Sequence, residues 1–206
     1  MKYKCYTIGY SGIKIEEFKK ILKSRKINCV IDVRSKPYSQ YIPEYNSDNL
    51  EKNLRKDKIL YSNFKKEFGA RRIEDEAYSK DGIVNFDKVI ELKVFNQGIE
   101  RLKKGYDKGY NIVLMCSEKD PLECHRFSMV SKGLKNNGFE IIHILEDDTE
   151  ISNESLEKNM MLKYHPNYMQ GNIFENNSTY DEYLEKSYKK INSEIGYSRI
   201  KDNIED

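Results

Sequence analysis

Thiols, imidazoles and guanidiniums are the side chains with most to offer chemistry, and residues 113–126, "VLMCSEKDPLECHR", gather all three. Cys116 ends an apolar run, a charged loop follows, and Cys124 stands directly before His125 and Arg126. A thiolate is both a nucleophile and a soft metal ligand, and cationic neighbours or helix N-terminal N–H groups favour it. Cys116 and Cys124 are therefore candidate nucleophiles and His125 a candidate proton carrier. The plain alternative for Cys116 is a buried residue at a strand end; Cys124, next to two cationic residues, is harder to explain by packing. Metal binding is another reading, with Cys116, Cys124 and His125 as ligands and His143 on the next strand as a fourth. The C-x7-C-H spacing matches no common closed zinc pattern, and adjacent Cys and His side chains at a helix start are expected to diverge. No metal or other cofactor is therefore expected, zinc being the alternative. A reversible disulfide or persulfide on the two thiols is the third reading, and needs their Cα atoms within about 7 Å.

Candidate anion contacts lie elsewhere in the chain. In "GYSG", Gly9, Ser11 and Gly12 make a small-residue turn that can offer N–H groups before a helix, and Tyr10 within it is a further candidate contact. Asp32 and Arg34 end a strand, either as an internal ion pair or with the guanidinium free to grip a phosphate or carboxylate in bidentate fashion. Ser39, Arg71, Arg72 and Arg126 complete the set. Between residues 38 and 72, Tyr38, Tyr41, Tyr45, Tyr61, Phe64 and Phe68 interleave with Lys65, Lys66, Arg71 and Arg72. That pattern suits base stacking and phosphate contact, and equally an amphipathic loop surface.

Which elements bring these residues together follows from hydrophobic patterning. "CYTIGYSG" reads as a strand ending at Gly9, and the helix after it has an apolar face of Ile15, Phe18, Ile21 and Leu22. "INCVIDV" is a strand apolar on both faces, as in a parallel sheet covered by helices. "PYSQYIPEYN" is a loop, Ser47 or Asp48 caps the next helix, and "ILYSNF" is a short strand. From Phe86 the apolar spacing predicts one long helix ending near Gly105. "YNIVLMC" and "FEIIHIL" are strands flanking the helix "CHRFSMVSKGLKNNG", with Gly138 as its C-cap. The alternation predicts a single three-layer α/β/α domain with a mostly parallel sheet over residues 1–148. Residues 149–206 read as an acidic, partly helical C-terminal extension, with an amphipathic helix over 180–191. The loops after the first three confident strands leave strand C-termini, so they converge if those strands are neighbours.

Bulk properties narrow the function classes. The 206 residues carry 36 Lys plus Arg against 34 Asp plus Glu, a formal charge of +2, which selects no partner. Its distribution is uneven: residues 34–72 hold ten basic and five acidic side chains, residues 146–206 seven and fourteen. The middle is the anion-facing part. Four cysteines without a CxxC pair argue against a disulfide framework, and Cys5 and Cys29 read as small buried hydrophobes. No apolar run approaches a membrane span, and "MKYKCYTIGY" lacks a hydrophobic signal core, so a soluble cytoplasmic protein is expected.

Four segments, "YTIGYSG", "VIDVRSKPYS", "FGARR" and "VLMCSEKDPLECHR" followed by "HIL", together resemble the bacterial family catalogued as domain of unknown function 488, over roughly residues 3–146. The family motifs are a TIGxS turn, a DVRxxPxS strand end, an L-G-G-R element and a Cys…CHR signature. The resemblance points to Gly9, Ser11, Asp32, Arg34, Pro37, Ser39, Gly69, Arg71, Cys116, Cys124, His125 and Arg126. Phe68-Gly69-Ala70 departs from the usual Leu-Gly-Gly, and the segment after residue 150 matches none of these motifs. The family has no settled reaction, so the resemblance implies a fold and a set of residues. A looser likeness to rhodanese-type sulfurtransferases rests on "IDVR" and on Cys116 at a later strand end, but the loop after Cys116 is longer than such persulfide cradles.

The expectation is a small enzyme with a cysteine-dependent site for an anionic substrate that bears phosphate, such as a nucleotide or nucleic acid. A non-catalytic nucleic-acid or nucleotide-binding module and a sulfur-carrying or redox protein are the alternatives. No membrane partner is expected.

Overall fold

The computed structural model describes residues 3–168 and 179–200. Six strands form one sheet: β1 (Lys4–Gly9), β2 (Cys29–Asp32), β3 (Leu60–Asn63), β4 (Ile112–Cys116), β5 (Glu140–Ile144) and β6 (Glu150–Ser152). Their order is β3-β2-β4-β1-β5-β6, and every pairing is parallel except that of β5 with β6. Period-two alternation divides the apolar side chains between two faces. Tyr6, Ile8, Val30, Val113 and Met115 pack beneath α1 (Ile15–Ser24) and α2 (Ser47–Arg55). Cys5, Ile31, Leu114 and Cys116 face the other layer, built from α3 (Lys65–Phe68), α4 (Phe86–Glu91), α5 (Lys93–Asp107) and α6 (Lys132–Asn136). This is the expected three-layer α/β/α arrangement with a mostly parallel sheet.

Several local readings need correction. The helix from Phe86 breaks at Leu92, whose extended ψ of 140° separates α4 from α5. Both halves keep their apolar positions buried, so spacing alone does not reveal the break. Asn46, rather than Ser47 or Asp48, holds the N-cap position of α2. The helix after Cys124 opens as a π-helical segment, Arg126–Ser131, before becoming α6; Gly138 follows it with a φ of +81°, which glycine adopts without strain. The sheet does not end near Asp148, because a tight turn brings β6 back antiparallel to β5.

Past β6 the chain forms α7 (Asn153–Tyr164) and α8 (Tyr180–Ile195). Thr179 caps α8 in a capping box with Glu182. Leu156, Met160, Tyr188 and Ile191 cover Phe127, so these helices have their own apolar contact with the π-helical segment. The last turn of α8 and the residues after it then pack against the segment that leads into α4. Asn192 exchanges hydrogen bonds with Val84 and Phe86, and the Val84 N–H donates to Tyr197 O. Most of "FENNST" lies outside the described residues. Among the described residues, no helix is long and apolar enough to cross a membrane.

Candidate functional site

The sheet order makes β2, β4 and β1 consecutive neighbours, so the loops leaving their C-terminal ends converge. They do so with a division of labour across the two faces of the sheet. Asp32 and Arg34 turn toward Tyr10 and Tyr45; Cys116 and Cys124 lie on the opposite face.

Asp32 is fully buried and Arg34 nearly so. Arg34 Nη2 donates to Asp32 Oδ2 at 2.6 Å, and Nε and the backbone N–H of Arg34 both donate to Oδ1. The remaining contacts of the guanidinium are to the Tyr45 carbonyl and Tyr10 hydroxyl, and the Tyr61 hydroxyl donates to Asp32 Oδ2. The internal ion pair therefore describes Asp32 and Arg34, although Arg34 also forms part of a cavity wall.

On the cysteine side, Cys116 ends β4, and Cys124 has extended backbone (φ −133°, ψ 137°) after a short 3-10 turn, Pro121–Glu123. The helix begins only at Arg126. The expected divergence of Cys124 and His125 assumes helical geometry at both residues, and at Cys124 it does not apply. One sulfur, one nitrogen or one carboxylate oxygen from each of Cys116, Glu118, Cys124 and His125 fall within 4.8 Å of one another. The Glu118 Oε2 atom accepts from the Cys116 thiol at 3.0 Å and the Cys124 thiol at 3.1 Å. His125 Nδ1 is 3.8 Å from Cys116 Sγ, and Nε2 is 3.0 Å from the Val33 carbonyl oxygen at the end of β2. All four cysteines are free thiols.

Electrostatics separates the two sulfurs. Burial is the largest influence on each and opposes ionisation. At Cys124 it is overcome by the Cys116 hydrogen bond and the charges of Arg126 and His125, which hold this thiol well below its ordinary value. At Cys116 the Cys124 and Glu118 charges act with burial and push the thiol up. Burial likewise opposes the ionised Glu118, but hydrogen bonds from both thiols bring its carboxyl below the usual range. His125 is raised: desolvation works against its charge, and Cys124 and Glu118 outweigh it.

Arg126 is wholly buried and acts on the loop. Its Nη1 and Nη2 donate to the carbonyls of Glu118 and Lys119, and its backbone N–H points at Cys124 Sγ, 3.4 Å away. Gly9 makes room for the same loop, since a Cβ there would lie 1.8 Å from Glu118 O. Two N–H groups of the "GYSG" turn are taken up within the chain. Those of Tyr10 and Ser11 donate to the carbonyls of Cys116 and Ser117, extending the β1–β4 ladder. Arg72 is engaged within the chain: Nε and Nη2 bind the Glu74 carboxylate, and Nη1 the carbonyls of Lys66 and Gly69. Ser39 sits in the Pro37–Asn46 loop, its N–H donating to Asn46 Oδ1 and its Oγ accepting from the Tyr41 N–H. His143 does not join the cluster. Its nitrogens meet Thr7 Oγ1 and Asn153 Oδ1 in the core.

A cavity of about 350 Å³ opens over this cluster, lined by Cys116, Glu118, Glu123 and His125 together with Arg34, Lys36 and Arg71. Exposed Arg71 is anchored through its N–H to Ser35 Oγ, and its guanidinium lies 4.6 Å from the Tyr197 ring centroid. Glu118, Lys36 and Tyr197 were not singled out from sequence. Glu118 shares the inter-cysteine loop, which was the signal available for it. Lys36 stands two residues after Arg34, whereas Tyr197 reaches the cavity through tertiary contacts of the segment after α8.

No curated protein and no solved structure matches the chain. The family model described as "Domain of unknown function DUF488" matches residues 14–132, more than half of the sequence and including every member of the cysteine cluster. The chain thus belongs to the DUF488 family.

Proposed function

We propose that the protein is a cysteine-dependent enzyme acting on an anionic, phosphate-bearing substrate, a nucleotide or a nucleic-acid strand. The observation that carries this reading is the meeting of Cys116, Glu118 and His125 with Lys36 and Arg71 around one cavity. A group able to react and groups able to neutralise an anion then share a space large enough for a nucleotide-sized fragment. The cationic side is narrower than the arginine content of the sequence suggests, because Arg72 and Arg126 are committed to carbonyls and carboxylate. Arg71 and Lys36 are the anion contacts in this reading.

The test combines binding of labelled single-stranded DNA and RNA and of nucleoside monophosphates with turnover of bis(p-nitrophenyl) phosphate. Arg71→Ala should weaken binding at least about tenfold, since a charge-assisted hydrogen bond is worth about 1.5–3 kcal/mol. Cys116→Ser should remove turnover while binding persists. If none of these probes binds, or if both variants behave as wild type, the reading fails.

A non-catalytic nucleic-acid module is favoured by one separate observation. Tyr38 and Tyr41, just beyond Lys36, are 74% and 85% exposed, as a stacking platform for unpaired bases requires. Salt-sensitive strand binding without turnover, lost in Tyr38→Ala and Tyr41→Ala and kept in Cys116→Ser, would select that reading.

A further inference from the structure

We propose that Cys116, Cys124 and His125 are the fixed ligands of one divalent transition metal of the zinc class, with Glu118 as an exchangeable fourth ligand facing the cavity. The inference deepens the reading above, since it assigns the cysteines of that centre a task.

Donor chemistry is the first argument. Two thiolates, an imidazole and a carboxylate form a set that suits zinc, whereas magnesium and calcium prefer oxygen alone. Spacing is the second. Bonds of about 2.3 Å to sulfur and about 2.0 Å to nitrogen or oxygen set tetrahedral donors about 3.5–3.8 Å apart. The corresponding distances here are 3.0 Å, 3.1 Å and 3.8 Å, and no pair among the four donors exceeds 4.8 Å. The two shorter contacts must widen by about 0.5 Å to admit an ion.

Orientation of His125 is the third. A carbonyl oxygen only accepts, so the 3.0 Å contact with Val33 O places a proton on Nε2 and turns Nδ1 toward the sulfurs, as the nitrogen a metal would take in place of its proton. Ligating histidines are typically held this way, by an N–H donated to a carbonyl or carboxylate behind them. The Arg126 N–H aimed at Cys124 Sγ supports a thiolate ligand in the same manner. Cys116 and Cys124 are rigidly buried, whereas Glu118 sits on an exposed loop. Three fixed ligands and one movable ligand beside a cavity is the pattern of a site that exchanges its fourth position with water or substrate.

The experiment uses the full chain, purified under reducing conditions, stripped with a chelator and titrated with Zn(II) against a chromophoric competitor and separately with Co(II). The expected result is one metal per chain, with intense sulfur-to-cobalt charge-transfer absorption and the visible bands of a tetrahedral ion. Cys124→Ser should lose about half of the charge-transfer intensity. Glu118→Gln, a surface change that spares the fold, should keep that absorption and shift the visible bands. Cys29→Ser should alter neither. The proposal is overturned if wild type binds neither ion, or if binding survives in Cys116→Ser/Cys124→Ser. Metal binding without any phosphate-ester binding or turnover would sink the functional reading alone. Full turnover by chelated, metal-free protein would sink the metal inference alone.

Discussion

Replacing Asp32 by asparagine keeps the shape of the side chain and removes the charge that a buried guanidinium depends on. In the native protein the carboxylate accepts three hydrogen bonds from Arg34 and one from Tyr61, with Asp32 at 0% and Arg34 at 4% exposure. An amide retains one oxygen for the Oδ1 contacts but directs an NH₂ group at the Arg34 Nη2 and Tyr61 hydroxyl donors. The guanidinium is left buried without its counter-charge, a change that costs about 3–5 kcal/mol. Domain stabilities of about 5–15 kcal/mol make this a large fraction of the total. In urea, with a slope of about 2 kcal/mol per molar, the midpoint should fall by about 2 M. The double variant Asp32→Leu/Arg34→Met removes both charges, so it should be destabilised by less than the sum of the two single variants by at least about 2 kcal/mol. Equilibrium unfolding followed by far-ultraviolet circular dichroism gives all four corners of the cycle. A loss below about 1 kcal/mol for Asp32→Asn, or additive single effects, would refute the reasoning and return Arg34 to the candidate anion ligands.

Acidification should expose the buried histidine. Burial holds the His143 imidazole down to about 3, so the unfolded chain, titrating near pH 6.5, binds a proton that the folded protein refuses. The stabilisation is complete above about pH 6.5 and is lost downward toward pH 3 at about 1.4 kcal/mol per pH unit. His143→Gln should flatten the slope of urea midpoint against pH by about 0.7 M per pH unit; an unchanged slope would show that carboxylates account for all of it. At Gly9, alanine would place its Cβ 1.8 Å from Glu118 O, and overpacking of this kind costs about 1–3 kcal/mol. Gly9→Ala should therefore lower the melting temperature and weaken metal binding together, because the displaced backbone carries Glu118. A melting temperature equal to that of wild type would rule out this close approach.

Much of the fold is legible from local patterning because each strand and helix carries its own period. The two-sided apolar runs of β2 and β4, the helical spacing of α1, and glycine at position 138 each state their structure within a few residues. The errors share a cause. The α4–α5 break at Leu92 preserves the buried positions on both sides, so an apolar period runs through it unmarked. Strand β6 is only three residues long and owes its existence to pairing with β5.

For the site, the identities of Cys116, Cys124 and His125 and their placement on one sheet edge were determined by the sequence itself, since parallel strands must deliver their following loops to a common end. What those residues do together was decided by tertiary structure. Extended backbone at Cys124 lets its sulfur and the His125 ring face one point, and Glu118 completes the group because Gly9 and buried Arg126 draw its loop inward. The same packing engages Arg34, Arg72, Arg126 and the Tyr10 and Ser11 amides within the chain, while Lys36 and Arg71 line the cavity with Arg34. Residue type specifies what a group is able to donate or accept. Only the folded chain determines which of those capacities are already spent.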